Sequence, residues 1–200
     1  MNKEFVIIGA SGHGKVVIEI IEEMGDKIVG VVDDNPLITD LMGYSVSNQH
    51  VYKAPVIVTI GNNLLRKRRV GKVEKEFGIA IHPKANISSR CNISAGSVIM
   101  AGVTINSGVT IGKHCIINTS ASVDHDCQIL DFAHISPNAS IGGNVIIGEG
   151  AHIGIGSVVI QGIQIGKWVT IGAGSVIIND VPDYAVVVGV PGNIIKYNKE

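Results

Sequence analysis

A six-residue repeat across the C-terminal half constrains the fold of this chain more than any other feature. Isoleucine or valine occupies every sixth position from Ile81 to Ile177, seventeen times in succession and without an insertion. Four residues after each of these lies a second position, from Ala85 to Val181, whose residue exceeds valine in size only at Ile163. One bulky and one small inward residue in every six is typical of a short strand that meets a corner.

The corners are predicted at the third residue after each bulky position. Glycine, asparagine and aspartate recur there, and these residues tolerate the positive φ that tight corners need. They are Gly96, Gly102, Gly108, Asp126, Asn138, Asn144, Gly150, Gly156, Gly162, Gly174 and Asp180. The repeat therefore predicts short strands that alternate with tight turns over the whole segment.

Charge and cysteine content exclude several classes of protein. The net charge is −1 and only 16% of residues are charged, which argues against a nucleic-acid partner or an anionic membrane surface. No apolar run approaches the roughly 18 residues of a membrane span, and the first ten residues lack the features of a signal peptide. Cys91, Cys115 and Cys127 occupy the small inward position, where we expect buried, unreactive thiols. An odd number of cysteines predicts a reducing, cytoplasmic location.

Residues 1–80 have a different pattern, typical of a small Rossmann-like α/β domain, with the repeat domain assigned to residues 81–200. Apolar runs that predict strands alternate with segments that predict helices, and the first strand leads into a glycine-rich turn. The predicted strands are 4–9, 27–34 and 54–63, and the predicted helices are 15–25 and 64–78.

The glycine-rich turn GASGHGK at residues 9–15 allows several interpretations. Gly9, Gly14 and Lys15 match the spacing of a phosphate-binding P-loop, but Val16 replaces the Ser or Thr that holds Mg²⁺. The dinucleotide fingerprint fits poorly because Gly9 and Gly12 are three residues apart rather than two. A nucleotide diphosphate held by backbone N–H groups at the helix N-terminus fits the turn. The alternative is a tight turn without a ligand.

Charged residues follow the second and third predicted strands. Asp33 and Asp34 end the second strand about 20 residues after the turn, where they could bind ribose hydroxyls or base N–H groups. A solvated strand end is the alternative. The basic run 66–69 predicts a solvated helix face, with a phosphate clamp as the less favoured reading.

The motifs of both halves together carry a family resemblance. IGEGAH, IGIGSV and IGAGSV resemble the hexapeptide repeat of left-handed β-helix acyltransferases, and GASGHG, VDD, TIGNN, VDHDC and VGVPGNIIK resemble bacterial nucleotide-sugar N-acetyltransferases and sialic acid O-acetyltransferases. The chain is similar above all to enzymes that acetylate the 4-amino group of a UDP-4-amino-4,6-dideoxy sugar for surface glycans. The resemblance implies a small α/β domain followed by a left-handed parallel β-helix of five to six coils, with residues 18 apart stacked. It also implies acetyl-CoA as cosubstrate and a homotrimer with active sites between subunits.

His125 is the histidine best suited to catalysis. It lies on a predicted corner between Asp124 and Asp126, and acetyl transfer to an amine needs a base beside the attacking nitrogen. A neighbouring carboxylate orients an imidazole and stabilises its protonated form. By resemblance His125 is the general base and Asp126 raises its basicity, although the family often has Glu there. The resemblance also implies substrate contacts at Ser11, Gly12, His13, Asp33, Asp34 and Gly61, and cofactor contacts at His134, Ile155 and Ala173.

Three alternatives to sugar N-acetylation stay open at this point. Sialic acid O-acetylation would need no nucleotide contact from the two aspartates. A γ-class carbonic anhydrase would need zinc, but His114, His125 and His134 occupy three different places in their hexapeptides, so we predict no metal site. A non-catalytic assembly module would use the repeat only to display its N-terminal domains. Trp168 occupies a corner where the family usually has glycine, and the sequence does not assign it a role.

Overall fold

The computed structural model describes residues 2–198, and its first part is a five-stranded sheet with two helices. The elements are β1 (Glu4–Ile8), α1 (Gly12–Glu23), β2 (Lys27–Val32), β3 (Asp40–Leu41), β4 (Tyr44–Ser47), β5 (Val56–Val58) and α2 (Asn63–Val70). The strand order is β3-β4-β2-β1-β5, and only β3 is antiparallel to its neighbour. Apolar residues of β1 and one side of α1 are buried, as a parallel sheet covered by helices requires.

Several element boundaries differ from those predicted. The first helix begins at Gly12 rather than residue 15, and the β3–β4 hairpin was not predicted. The predicted helix 64–78 is wrong beyond Val70, because the chain turns at Gly71 and returns along the edge of β5. There the Val56 N–H donates to the Glu76 carbonyl, and Gly78 N–H donates to the Val56 carbonyl. The sheet edge thus competes with helix formation for these backbone groups.

The second part is the predicted left-handed parallel β-helix of two-residue strands. They are β6 (Ala80–Ile81), β7 (Asn86–Ile87), β8 (Asn92–Ile93), β9 (Val98–Ile99), β10 (Thr104–Ile105), β11 (Thr110–Ile111), β12 (Ile116–Ile117), β13 (Ser122–Val123), β14 (Gln128–Ile129), β15 (His134–Ile135), β16 (Ser140–Ile141), β17 (Ile146–Ile147), β18 (His152–Ile153), β19 (Val158–Val159), β20 (Gln164–Ile165), β21 (Thr170–Ile171) and β22 (Val176–Ile177). Every pair of stacked strands is offset by 18 residues, as in Ile117↔Ile135. Seventeen strands at three per coil give between five and six coils.

The strands form three faces of a triangular helix. The first face contains β6, β9, β12, β15, β18 and β21. The second face contains β7, β10, β13, β16, β19 and β22, and the third contains β8, β11, β14, β17 and β20. Two more strands, β23 (Ala185–Val188) and β24 (Asn193–Tyr197), extend the first face at its end. The bulky and small inward residues fill one continuous apolar core. Cys115 and Cys127 are buried in it, whereas Cys91, on the first coil, is only partly buried.

The corners have the backbone conformation that was predicted. Every sixth residue from Gly96 to Gly174 has a positive φ, fourteen in succession. Asp180 does not, because the chain leaves the coil there and the Asp180 carboxylate accepts from the Gln164 N–H instead. Seven of the fourteen are not glycine, namely His114, Ser120, Asp126, Phe132, Asn138, Asn144 and Trp168.

The α/β part packs against the lower coils of the first face. Residues of α1 and β1 share one apolar cluster with Ala80, Val98, Met100 and Ile116. The upper coils of the same face therefore stay open beside the start of α2. The division into domains at residues 80 and 81 stays a prediction. Within residues 2–198 no helix has the length and apolar character needed to cross a membrane.

Candidate active site

A cleft of about 800 Å³ lies between the start of α2 and the upper coils of the first face. The α2 side is formed by the Gly61–Asn62 loop and by polar side chains of the helix. The opposite side is formed by outward residues of β15, β18 and β21 and by one corner. The main side chains are Asn63, Lys67, His134, His152, Thr170 and Trp168.

Two histidines of this cleft stack on successive coils. The rings of His134 and His152 are 4.8 Å apart and nearly parallel, as the 18-residue spacing predicts. Burial, followed by the neighbouring His152 and Arg66, lowers the pKa of His134 to about 3, and burial and Arg66 also lower the pKa of His152. Both rings are therefore neutral at physiological pH.

The amide of Asn118 selects one tautomer of His134. The Asn118 Oδ1 accepts from the Thr119 N–H, so its Nδ2 faces His134 Nε2 at 3.1 Å and must donate to it. The proton of His134 therefore lies on Nδ1, which is buried near the Gly61 carbonyl but makes no hydrogen bond of good geometry within the described residues.

His13 approaches this cluster from the glycine-rich turn. Burial and then the Arg66 charge lower the pKa of His13 to about 4, and its Nε2 is also buried without a partner in residues 2–198. His13 is close enough to act electrostatically on His134. The structure thus brings together His13, Gly61 and His134, which are far apart in the sequence.

His125 and Asp126 form a second, exposed cluster on another corner. The His125 Nδ1 lies 2.9 Å from Asp126 Oδ2, and the Asp124 Oδ1 accepts from the His125 N–H at 2.8 Å. The Asp126 hydrogen bond, followed by the charge of Asp124, raises the pKa of His125. The Nε2 atom lies above Gly143 on the next coil. An imidazole held by a carboxylate at one nitrogen and free at the other has the geometry of a general base.

The two clusters are not brought together within one chain. His125 lies between β13 and β14, which belong to the second and third faces, whereas His134 lies on the first face. In a triangular cross-section, a corner between two faces is opposite the third face. His125 is accordingly absent from the cleft that contains His134.

The glycine-rich turn and the two aspartates meet at the carboxyl end of β1 and β2. Ser11 is the N-cap of α1 but its side chain makes no capping hydrogen bond. Asp33 accepts from the Ala10 N–H at 2.7 Å and from the Asn35 N–H at 2.8 Å, so both its oxygens are engaged by the backbone. Asp34 is largely exposed and pairs with His50 and Arg69. Asp33 therefore shapes the turn, and Asp34 is the more accessible of the two.

The remaining predicted contacts lie along one corner of the helix. Ile155 and Ala173 follow β18 and β21, at the corner between the first and second faces, and both are exposed. They belong to stacked coils, since the Gly174 N–H donates to the Ile155 carbonyl at 2.8 Å. Among residues 2–198 no group of His, Cys, Asp and Glu could hold a metal ion.

Known proteins share both parts of this architecture. A family model described as the PglD N-terminal domain matches residues 4–73, and one described as bacterial transferase hexapeptide (six repeats) matches residues 144–179. A perosamine N-acetyltransferase from Caulobacter crescentus, solved as a histidine-to-asparagine variant with CoA and GDP-perosamine, is 36% identical over 96% of this chain and 97% of its own, with a TM-score of 0.92. The chain belongs to the hexapeptide-repeat nucleotide-sugar N-acetyltransferases.

Two further structures are similar to this N-acetyltransferase over nearly its whole length. The acetyltransferase domain of PglB from Neisseria gonorrhoeae FA1090 is 34% identical, with 97% of this chain and 100% of that one covered and a TM-score of 0.90. WeeI from Acinetobacter baumannii AYE is 28% identical, with 96% and 99% covered and a TM-score of 0.88. Membership of this acetyl-CoA-dependent enzyme family argues against the carbonic anhydrase and assembly-module readings.

The sequence did not predict the roles of three residues in or beside the N-acetyltransferase cleft. Arg66 is only 1% exposed, so the prediction of a solvated helix face is wrong at this position. Lys67 pairs with Glu149 and lies 5.4 Å from the ring of Trp168. Trp168 packs within its own chain, over Gly150 and against Lys67. The available signal was the large residues, such as Trp168, at corners that need a positive φ. A bulky residue is strained in that conformation, so contacts with another part of the chain are expected to compensate.

Proposed function

We propose that the enzyme transfers the acetyl group of acetyl-CoA to the 4-amino group of a UDP-linked 4-amino-4,6-dideoxy sugar, in surface glycan biosynthesis. The observation that carries this proposal is the His125–Asp126 pair, in which a carboxylate holds an imidazole whose second nitrogen is free. The Caulobacter relative, solved with CoA and GDP-perosamine, supports a nucleotide-linked amino sugar as acceptor. The three free cysteines are consistent with a reducing cytoplasmic location.

In the proposed reaction, His125 acts as the general base. The neutral sugar amine attacks the thioester carbonyl, and Nε2 of His125 takes the proton that the nitrogen loses as the C–N bond forms. The tetrahedral intermediate then collapses, the C–S bond breaks, and the CoA sulfur leaves with a proton returned by the imidazolium. Asp126 stabilises that imidazolium through Nδ1, which accounts for the raised pKa of His125.

The proposed acetyl-CoA site follows the open corner beside the first face. His134 is neutral and its ring lines the cleft, which supports a contact with the cosubstrate. Ile155 and Ala173 on the two coils above are exposed, so an extended chain can lie against them. Their position supports a role in binding the cosubstrate.

The nucleotide is proposed to bind at the turn between β1 and α1. The backbone N–H groups of Ser11, Gly12 and His13 stand at a helix N-terminus whose cap side chain makes no hydrogen bond, which suits a diphosphate. Asp34 is accessible for the ribose or the base, while Asp33 holds the turn in shape. Gly61, across the turn in the loop before α2, is placed to contact the sugar.

We also propose a homotrimer with each active site between two subunits. His125 is on the corner opposite the face that carries His134, so one chain alone cannot present both to one substrate. A neighbouring chain can supply its His125 to the cleft, because the heterologous contacts of a closed ring place different surfaces of two identical chains against each other. Outward residues of the second and third faces include apolar or small side chains, such as Thr104, Thr110 and Ile146, that suit side-by-side packing.

The test is an acetyl-transfer assay with a panel of acceptors. Purified enzyme is incubated with acetyl-CoA and, separately, UDP-, GDP- and dTDP-linked 4-amino sugars and sialic acid, and released thiol and product mass are measured. The proposal predicts an acetamido product from the UDP sugar, with kcat/KM at least about tenfold above the other nucleotides. Preference for the GDP sugar would correct the nucleotide alone, whereas acetylation of sialic acid only would overturn the proposal.

A further inference from the structure

Arg66 joins the two parts of the molecule from a nearly fully buried position. Its Nε donates to the His114 carbonyl at 2.9 Å and its second terminal nitrogen to the Phe132 carbonyl at 2.7 Å, both on corners of the β-helix. The first terminal nitrogen donates to the carbonyls of Ile60 and Gly61, at 2.9 and 3.2 Å. One guanidinium thus binds the loop before α2 to two successive coils.

Asn63 continues this set of contacts to the next coil. Its Nδ2 donates to the Gly150 carbonyl at 3.0 Å and lies 3.2 Å from the Ala151 carbonyl, while its Oδ1 accepts from Arg66 at 2.8 Å. The corners at residues 114, 132 and 150 lie directly above one another. Two neighbouring side chains of α2 therefore bind three consecutive corners.

The positive charge of Arg66 has no acidic partner within the described residues. The ion pairs found in residues 2–198 involve other cations, and all acceptors around this guanidinium are neutral carbonyl or amide oxygens. Burial lowers its pKa to about 10, so it is still charged at neutral pH. A buried charge without a counter-ion is costly. Here the hydrogen bonds that offset the cost all lie at the junction of the two parts.

The junction that Arg66 holds is the one on which the proposed reaction depends. Gly61 lines the cleft opposite His134, and the glycine-rich turn that contains His13 lies beside it. The amino sugar must reach from the α/β part to an acetyl group on the β-helix. The relative position of the two parts therefore sets the distance between the reacting atoms.

We propose that Arg66, with Asn63, is a positioning residue for acetyl transfer: it fixes the loop at Gly61 on the β-helix corners and so aligns the sugar amine with the thioester. This inference rests on the proposed function. A misplacement of about 1 Å at a reacting centre can cost 10²-fold in rate even when the altered residue is remote from the chemistry. Substrate contacts within each separate part stay intact, so the loss falls on kcat rather than on binding.

The test compares Arg66→Lys, Arg66→Met and Asn63→Ala with the matched control Arg90→Met, which removes an exposed arginine from the first coil. For each protein, kcat, the KM of the nucleotide sugar and the Kd of CoA by calorimetry are measured, and kcat is corrected for the folded fraction from circular dichroism. Arg66→Lys keeps the charge but cannot reach the acceptors on both sides of the junction. The control is expected to match the wild type.

Both Arg66 variants should lose about 10²-fold in kcat and Asn63→Ala about tenfold, with the Kd of CoA and the KM of the sugar within about threefold of wild type. Restoration of more than about a third of wild-type kcat by Arg66→Lys would overturn positioning in favour of charge alone. If the Arg66 variants do not fold, full activity of Asn63→Ala would overturn the positioning role. A wild-type enzyme that acetylates no nucleotide-linked amine would instead contradict the proposed function.

Discussion

Gly12 and Gly14, in the first turn of α1, differ in what a methyl group would meet. A Cβ on Gly14 would lie 2.5 Å from the Gly9 carbonyl oxygen and 3.2 Å from Leu41, whereas a Cβ on Gly12 would have nothing within 4 Å. Alanine favours a helix over glycine at both positions. The structure therefore predicts opposite effects of Gly14→Ala and Gly12→Ala on stability.

The clash outweighs helix propensity at Gly14. The propensity gain is about 0.5–1 kcal/mol. Overpacking against a backbone oxygen costs roughly 1–3 kcal/mol. The Gly9 carbonyl cannot move away without loosening the 2.6 Å hydrogen bond that it accepts from the buried Thr59 hydroxyl, and that bond contributes about 1 kcal/mol. The net loss for Gly14→Ala is then about 1–3 kcal/mol, a fall of roughly 2–12 °C in melting temperature for a chain of this size.

Thermal melts and steady-state kinetics of both variants separate fold from function. Gly12→Ala should melt at or slightly above the wild-type temperature, yet its methyl should obstruct a diphosphate at the helix N-terminus and raise the KM of the nucleotide sugar about tenfold. The KM of acetyl-CoA should not change in either variant. A Gly14→Ala protein as stable as the wild type would refute the steric reasoning, and an unchanged sugar KM in Gly12→Ala would refute the diphosphate site.

Four further outcomes are expected at the proposed base and at the nucleotide. His125→Ala should lose about 10²–10⁴ in kcat with an unchanged melting curve, because the side chain is exposed on a corner. The base must be neutral, so kcat/KM should fall as pH drops through the raised pKa of His125. Asp126→Asn should move that fall to lower pH. This variant should not strain the corner, because Asn tolerates the φ of 60° at this position. Gly143→Ala would place a methyl 2.6 Å from His125 Nε2 and should lower kcat about tenfold, which a normal kcat would disprove. Asp34→Ala should raise the sugar KM about tenfold but not that of acetyl-CoA, and equal effects on both would count against its assignment.

The β-helix was predictable because its determinants are local. Each hexapeptide repeats the same short strand and tight corner, so spacing alone predicts the positive φ at Asn138 or Gly156. The stacking of residues 18 apart was implied by the family resemblance. The α/β part was less predictable at its margins. The chain after Val70 leaves the helix to bond with the edge of β5, and that competition involves residues distant in sequence.

The same distinction applies to the candidate site. His125 and Asp126 are adjacent, so their hydrogen bond follows from sequence and corner geometry. Arg66 lies in a basic run that is typical of a solvated helix face, and its burial depends on carbonyls of two β-helix corners that no local pattern places beside α2. The proximity of His13 to His134 depends on the same docking.

The shared site is tested most directly by mixing two inactive subunits. His125→Ala chains and His134→Ala chains, each below about a hundredth of wild-type activity alone, are co-expressed with different affinity tags and purified through both tags. If His125 of one subunit serves the His134 face of another, one of the three sites in every mixed trimer regains both histidines, so the doubly purified protein should have about a third of wild-type activity. Mixed oligomers with no more activity than the separate variants would contradict a site shared between subunits.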